Sequence, residues 1–407
     1  MTNLSSDIGP LKRVLVHRPG PETLKVTTAL HGDHPMLANE LLPNDGPLEH
    51  EQFVRALSAS GAEILFLEDV LNEAISAADA AGQFGIWLDR RVPGLRQLAD
   101  IDAQVLLGAT DEVAYNHLAD PMKWIYYTRD FATMTPRGAA ISRFINNNRR
   151  FEADLIRFAF EWAPTLSKHP IAFDAEVEGL YLQGGDMIVV DKHTLLVGVG
   201  SLTQRETAQR LAQRLEVDVI AVQMVGLGTN GLRSLFLHLD TVFNLVDEKK
   251  ALAVPYFFEQ RFAGDEPLTD LLLTMGATDI AQGLRDFGSI TKFLAGSGEI
   301  DSGLTGMKLV DHLTDIGYAM VWVGGDAPSE RGTQMTKHVI ENVLREVHFQ
   351  GGNVVATKPG SVIAYQGNEG TLQALADADI EVTTIDGRSL VRWNGGPHCM
   401  TCPIERD

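Results

Sequence analysis

Apolar positions recur along the chain in two periods, and the switches between them mark its elements. Leu11–His17 (LKRVLVH) is a short apolar run closed by the turn Arg18-Pro19-Gly20, which predicts a buried strand. Over Glu49–Gly61 the residues Phe53, Ala56 and Leu57 fall on one helical face, and Ala62–Leu67 returns to a strand. From about Val70 to Pro121 helix formers dominate (NEAISAADAAG, LRQLADIDAQVLLGA) and β-rich runs are absent. This predicts a helical insert at 70–122 within an α/β domain made of 1–69 and 123–407. Beyond Met122 the pattern alternates. Ile125–Thr128, Asp186–Val199, Val217–Val225, Val242–Pro255, Tyr318–Gly324 and Val354–Tyr365 read as strands; Arg205–Leu215, Thr333–Val347 and Gly370–Ala376 read as helices. One internal echo stands out: Gln183-Gly184-Gly185-Asp186 and Gln350-Gly351-Gly352-Asn353 each precede a strand and then a second strand, as a repeated supersecondary unit would.

Composition narrows the classes. The 407 residues suffice for one large domain with an insert, or for two or three domains, and 44% hydrophobic with 22% charged is ordinary for a soluble globular protein. A formal net charge of -20 with no polybasic block argues against nucleic acid or an anionic membrane as the main partner. Met1–Pro10 lacks the basic start and apolar run of a signal peptide, and runs such as Ala251–Phe258 are too short to span a bilayer. Two cysteines in the whole chain leave no disulfide scaffold, so a cytoplasmic enzyme is the expectation.

Both cysteines lie in Asn394-Gly395-Gly396-Pro397-His398-Cys399-Met400-Thr401-Cys402-Pro403. They can be read as a redox pair, as half of a zinc site completed by His and carboxylates, as a nucleophile on a glycine-rich turn with free backbone N–H groups, or as two inert thiols in a tail. His238 and Asp240 stand two apart in Phe236–Phe243, which on a strand puts an imidazole and a carboxylate on one face as a candidate acid/base pair. Tyr126-Tyr127-Thr128-Arg129-Asp130 ends another run with a carboxylate, which alone is equally a structural Arg–Asp pair. Gln183-Gly184-Gly185-Asp186 adds a polar turn whose glycines let backbone approach a ligand closely.

Taken in order, LKRVLVHRPG, YYTRD, QGGDMIVVD, HLDTVF, QGGNVVATKPG and GGPHCMTCP resemble the arginine deiminase family of guanidino-modifying enzymes over nearly the whole chain. The resemblance implies the pentein fold, a five-bladed pseudo-symmetric α/β propeller of ββαβ repeats around a central site, with a helical domain inserted. It implies that Cys399 is the nucleophile, that His238 is the general acid/base, and that Asp130 and Asp240 hold the substrate nitrogens. It calls for a small-molecule substrate, no metal and no cofactor, and a homo-oligomer (dimer or tetramer).

Several positions depart from that family's pattern. Gln183 stands where the family has a glutamate on the guanidinium; Asp186 closes the same turn. Leu202 and Asn394 stand where the family has arginines on the substrate carboxylate, and Trp124 replaces an asparagine. Arg149 and Arg150 match an arginine-bearing segment, without indicating which faces the site. Burying a guanidinium and a carboxylate each costs several kcal/mol unless an opposite charge meets it. The direction of these changes therefore suggests a small neutral ligand with a leaving group on an sp² carbon. The expectation is a cysteine hydrolase, with 2-nitroimidazole hydrolysis to imidazol-2-one and nitrite as the specific case, since the superfamily includes such a nitrohydrolase. An arginine deiminase with relocated recognition, an amidinotransferase, and a catalytically inactive binding homologue are the alternatives.

Overall fold

A computed structural model describes residues 4–24, 45–95, 100–108, 122, 124–224, 236–259, 266–274, 276, 278–283, 285–329 and 332–407. The expected insert at 70–122 lies outside the described residues at 96–99 and 109–121, and Val225 of an expected strand also lies outside them. The strands are β1 (Leu11–Val16), β2 (Glu63–Phe66), β3 (Ala132–Thr135), β4 (Gly138–Ile141), β5 (Ile171–Asp174), β6 (Met187–Asp191), β7 (Thr194–Val199), β8 (Asp218–Gln223), β9 (Phe243–Asp247), β10 (Lys250–Ala253), β11 (Ile290–Phe293), β12 (Ile300–Asp301), β13 (Ala319–Trp322), β14 (Val355–Lys358), β15 (Ser361–Tyr365), β16 (Glu381–Ile385) and β17 (Cys402–Arg406). Among the described residues they form five sheets of a mixed α/β fold.

Each sheet contains the same unit, an antiparallel pair whose second member continues into a parallel partner. The units are β3-β4-β5, β6-β7-β8, β9-β10-β13, β14-β15-β16 and, joining the two ends of the chain, β17-β1-β2. A parallel pair requires a crossover, and a helix supplies it in each: Arg150–Trp162, Arg205–Leu215, Leu309–Asp315, Glu369–Asp377 and Gly46–Ala59. These helices form where apolar residues recur at helical spacing. Arg205–Leu215 buries Thr207, Ala208, Leu211, Ala212 and Leu215, and Arg150–Trp162 buries Ala153, Ile156, Ala159 and Phe160. β11 and β12 extend the second sheet to five strands.

Several long runs read as single strands are hairpins. Asp186–Val199 breaks at Asp191, whose carboxylate accepts from His193 N. Val242–Pro255 divides into β9 and β10, and Val354–Tyr365 turns at Gly360 with φ 74°. Such turns are short enough to hide inside an apolar run. Two other expected strands are corrected. Ile125–Thr128 is a turn, closed by Tyr127 N donating to Trp124 O at 2.9 Å and Asp130 N donating to Tyr127 O at 3.1 Å. Its β-like composition reflects burial instead: the Tyr126 and Tyr127 rings pack tilted with centroids 4.2 Å apart, and the Tyr127 hydroxyl donates to Leu390 O. The segment after His238 is a 3₁₀ turn, Leu239–Thr241, ahead of β9.

Between 67 and 108 the described elements are the helices Leu67–Ala80, Phe84–Arg91 and Ala103–Leu106. They share one apolar cluster with β3, β4 and the helix Arg150–Trp162 through Leu71, Leu88, Leu106, Met134, Ala139 and Phe158. A separate cluster packs Cys399 and Met400 against Tyr126, Tyr127 and Tyr365. No helix among the described residues is long and apolar enough to cross a membrane.

Candidate active site

Three loops deliver the four candidate side chains. Asp130 ends the turn before β3, and its backbone is fixed by Gly184 N and the Ser142 hydroxyl, both donating to Asp130 O at 3.0 and 2.7 Å. Gly184 is required there, because a Cβ would stand 1.9 Å from Arg129 O. His238 caps the 3₁₀ turn with extended backbone, φ -123° and ψ 163°, while Asp240 lies within it. Cys399 sits on the turn 397–400, anchored by Arg129 N donating to Cys399 O at 3.0 Å.

All four side chains are buried. His238 Nε2 meets Gln183 Oε1 at 2.7 Å, and His238 Nδ1 is 3.8 Å from Asp130 Oδ1. Cys399 Sγ donates to Asp240 Oδ2 at 3.3 Å, the same oxygen that His398 Nδ1 approaches at 2.8 Å. His238 and Asp240 thus turn to different partners and do not pair on a strand face. The other carboxylate oxygens, Asp130 Oδ1 and Asp240 Oδ1, are buried with no hydrogen-bond partner among the described residues. An unpartnered buried acceptor is costly, and two of them in one site suit a ligand rich in N–H donors.

The surroundings set the charge. Arg149 Nη1 donates to Asp130 Oδ2 at 2.7 Å and the same guanidinium pairs with Glu152, so Arg149 is the arginine turned inward while Arg150 is exposed. Burial raises Glu152's carboxyl above its usual range against the pull of Arg149. Burial by itself lifts the Asp240 carboxyl, but the His398 hydrogen bond and the nearby imidazoles and thiol outweigh it and hold the group below its ordinary value. Burial pushes the Cys399 thiol well up, and the charges of Asp240 and Asp130 add to that.

The remaining predicted positions are less direct. Asp186 is occupied on both oxygens: Oδ2 accepts from Thr203 Oγ1 at 2.6 Å and Oδ1 from Leu239 N at 3.1 Å, so it fixes the residue after His238. Burial raises its carboxyl to about 6. Leu202 is half-buried beside Thr203. Asn394 adopts left-handed backbone, φ 62°, a conformation that asparagine tolerates better than most residues. Neither has a described hydrogen bond to the four central residues. Trp124 is half-buried with the Arg149 guanidinium carbon 5.7 Å from its ring centre. The two thiols face apart in chemistry: Cys402 donates to Ala132 O at 3.3 Å on strand β17, a buried strand rather than a tail. Sequence reasoning missed Asn353, His398 and Glu152 as neighbours of these groups; the QGGN echo was the one signal pointing at Asn353.

The arginine deiminase family model matches residues 95–267 and 337–406. The chain belongs to the arginine deiminase family. It is a hydrolase of C–N bonds that works through a covalent cysteine intermediate. The arginine deiminases of Borrelia duttonii (strain Ly) and Listeria monocytogenes serotype 4a (strain HCC23) are 26% and 28% identical to it over 442 aligned residues, covering 100% of this chain and 98% of theirs. Among solved structures, the product-bound N-terminal domain of ArgZ, an arginine dihydrolase from the ornithine-ammonia cycle in cyanobacteria, aligns with a TM-score of 0.52 at 11% identity, over 97% of each chain. The ternary complex of AgrE with ornithine and NAD+ gives a TM-score of 0.53 at 12% identity, over 97% of this chain and 39% of that one. This chain therefore spans about two-fifths of that longer protein, and at such identities the likeness is one of fold.

Proposed function

We propose that this enzyme hydrolyses a guanidino group to a ureido group and ammonia, with L-arginine as its first candidate substrate. One observation carries the reading: one carboxylate oxygen each of Asp130 and Asp240 is buried without a hydrogen-bond partner among the described residues, and the two carboxylates lie beside His238 and Cys399. A planar guanidinium offers paired N–H donors and the positive charge that two carboxylates call for. The names of the curated relatives support the same substrate. The five repeated strand units further suggest five blades around this site, with the central loops supplying its walls.

The chemistry follows from the placement of the groups. Entry of the cation offsets Asp130 and Asp240, and the Cys399 proton passes to His238. His238 donates through Nε2 to Gln183, which leaves Nδ1 to take that proton. Cys399 Sγ bonds to the guanidinium carbon. The C–N bond to the departing nitrogen breaks as His238 returns its proton, and ammonia leaves behind a thiouronium-type adduct. Water then gives a proton to His238 and bonds to the same carbon. The C–S bond breaks, its electron pair returns to sulfur, His238 hands its proton back to the thiolate, and the ureido product leaves after losing its hydroxyl proton to solvent.

A second reading remains favoured by a specific feature. Gln183, Leu202 and Asn394 are neutral at the positions where charges would hold arginine, and Gln183 spends its carbonyl on His238. A flat neutral ring such as 2-nitroimidazole would need no opposite charge at those positions, with nitrite as the leaving group. Parallel incubations with L-arginine and 2-nitroimidazole, assayed for citrulline and nitrite beside a Cys399→Ala control, separate the two. Citrulline lost in the control supports the guanidino reading; nitrite without citrulline replaces it.

A further inference from the structure

The sequence echo acquires a meaning at the level of side chains. In the first copy, Asp186 Oδ1 accepts from the backbone N–H of Leu239, one residue past His238. In the second, Asn353 Oδ1 accepts from the backbone N–H of Cys399 at 3.1 Å. Each Gly-Gly turn thus sends a short polar side chain to pin the backbone at one member of the catalytic pair. The glycines make the approach possible: a Cβ on Gly185 would stand 2.7 Å from His238 Nδ1, and one on Gly352 would stand 2.8 Å from Thr241 O.

The copies differ in one atom. Asn353 carries an amide nitrogen, and that nitrogen makes two contacts: it donates to Asp240 O at 3.0 Å and to Cys399 Sγ at 3.1 Å. A carbonyl oxygen only accepts, so the contact with Asp240 O fixes which end of the amide is nitrogen and directs the donor at the sulfur. The opposite end of the same sulfur's environment is Asp240 Oδ2, an acceptor that suits the thiol and opposes the thiolate. Asn353 is buried and fully engaged.

We propose that Asn353 is a positioning residue that aims the Cys399 sulfur and stabilises it as a thiolate. It acts wherever the sulfur bears negative charge: before attack, and again when the C–S bond breaks and the electron pair returns to sulfur. A carboxylate at this position would keep the backbone contact to Cys399 N but would lose the donor and add a third negative charge beside Asp130 and Asp240. That explains why the second copy ends in asparagine while the first, next to an imidazole, ends in aspartate.

The inference rests on Cys399 as nucleophile and is independent of which substrate is correct, because its main test uses none. Full-length protein is alkylated with iodoacetamide across pH, and modification of Cys399 is followed by mass spectrometry in the wild type, Asn353→Asp and Asn353→Ser. A hydrogen bond to a charged group corresponds to roughly 10- to 100-fold in equilibrium. The alkylation limb of both variants is therefore expected to move up by about one to two pH units, further for Asn353→Asp. With any guanidine the wild type turns over, kcat should fall by a similar factor near pH 7 and recover in part as pH rises, with KM little changed. An unmoved alkylation limb in a folded variant, or a loss carried by KM alone, would overturn the proposal. If Asn353→Asp does not fold, Asn353→Ser decides the matter by the same limb.

Discussion

Cys399, His238, Asp130 and Asp240 lie in segments spread over some 270 residues of sequence; their short contexts were ambiguous one by one, and the family resemblance singled them out together. Their mutual geometry was not readable. His238 and Asp240 suggested a pair on a strand, yet the 3₁₀ turn sends the imidazole to Gln183 and the carboxylate to Cys399. Arg149 and Arg150 were indistinguishable in sequence because they straddle a helix start, where the rotation of the first turn decides which side chain goes inward. Two outcomes follow at this scale. Cys399→Ala should abolish product formation, whereas Cys402→Ala should retain turnover, since Cys402 Sγ donates to the backbone carbonyl of Ala132; a matched assay of the two reads this directly. Arg149→Ala strands Asp130 and Glu152 as buried charges, and breaking such a pair costs about 3–5 kcal/mol. Urea unfolding should show that loss, and an unchanged midpoint would mean the triad contributes nothing net.

At the scale of elements, the helices Arg205–Leu215 and Glu369–Asp377 were legible from apolar spacing, while hairpins hid inside continuous apolar runs. The junction of β1 with the helix Leu67–Ala80 was not legible, because it depends on side chains far apart in sequence. There His17 is clamped between Glu22 at 3.0 Å and Glu68 at 3.3 Å. Burial opposes the charge on His17, but both carboxylates outweigh it and raise its pKa to about 10. Below about 6.5, folded and unfolded chains both hold this proton, so the contribution is complete. Between about 6.5 and 10 the unfolded chain has released it and the folded chain has not, so stability falls as pH rises by roughly 1.4 kcal/mol per unit from this group. In chemical denaturation at pH 7, 8 and 9, His17→Gln should flatten that decline by about one proton. Parallel curves for variant and wild type would remove His17 as the cause.

For the whole molecule, the α/β alternation was plain from the sequence, but the unit that joins the two ends of the chain was not. β17 carries Cys402 and pairs antiparallel with β1, so residues from opposite ends of the numbering share a sheet. No local pattern announces a partner almost 400 residues away. Arg406 reinforces this pairing, donating from Nη1 to Gly9 O at 2.7 Å and from Nη2 to Ala356 O at 2.8 Å. Arg406→Ala would orphan two buried carbonyls, a loss of about 1–3 kcal/mol each. A lowered melting temperature with KM preserved is expected, because Arg406 does not touch the four central residues in any described hydrogen bond; a KM change with stability intact would relocate its role to the site.

The most direct test of the account is intact-protein mass spectrometry of the enzyme quenched during turnover of L-arginine, with citrulline and ammonia measured in the same samples. The account predicts an adduct on Cys399 that forms and decays with product release and is absent from Cys399→Ala. Citrulline formed without any adduct, or an adduct and nitrite obtained only from 2-nitroimidazole, would contradict it.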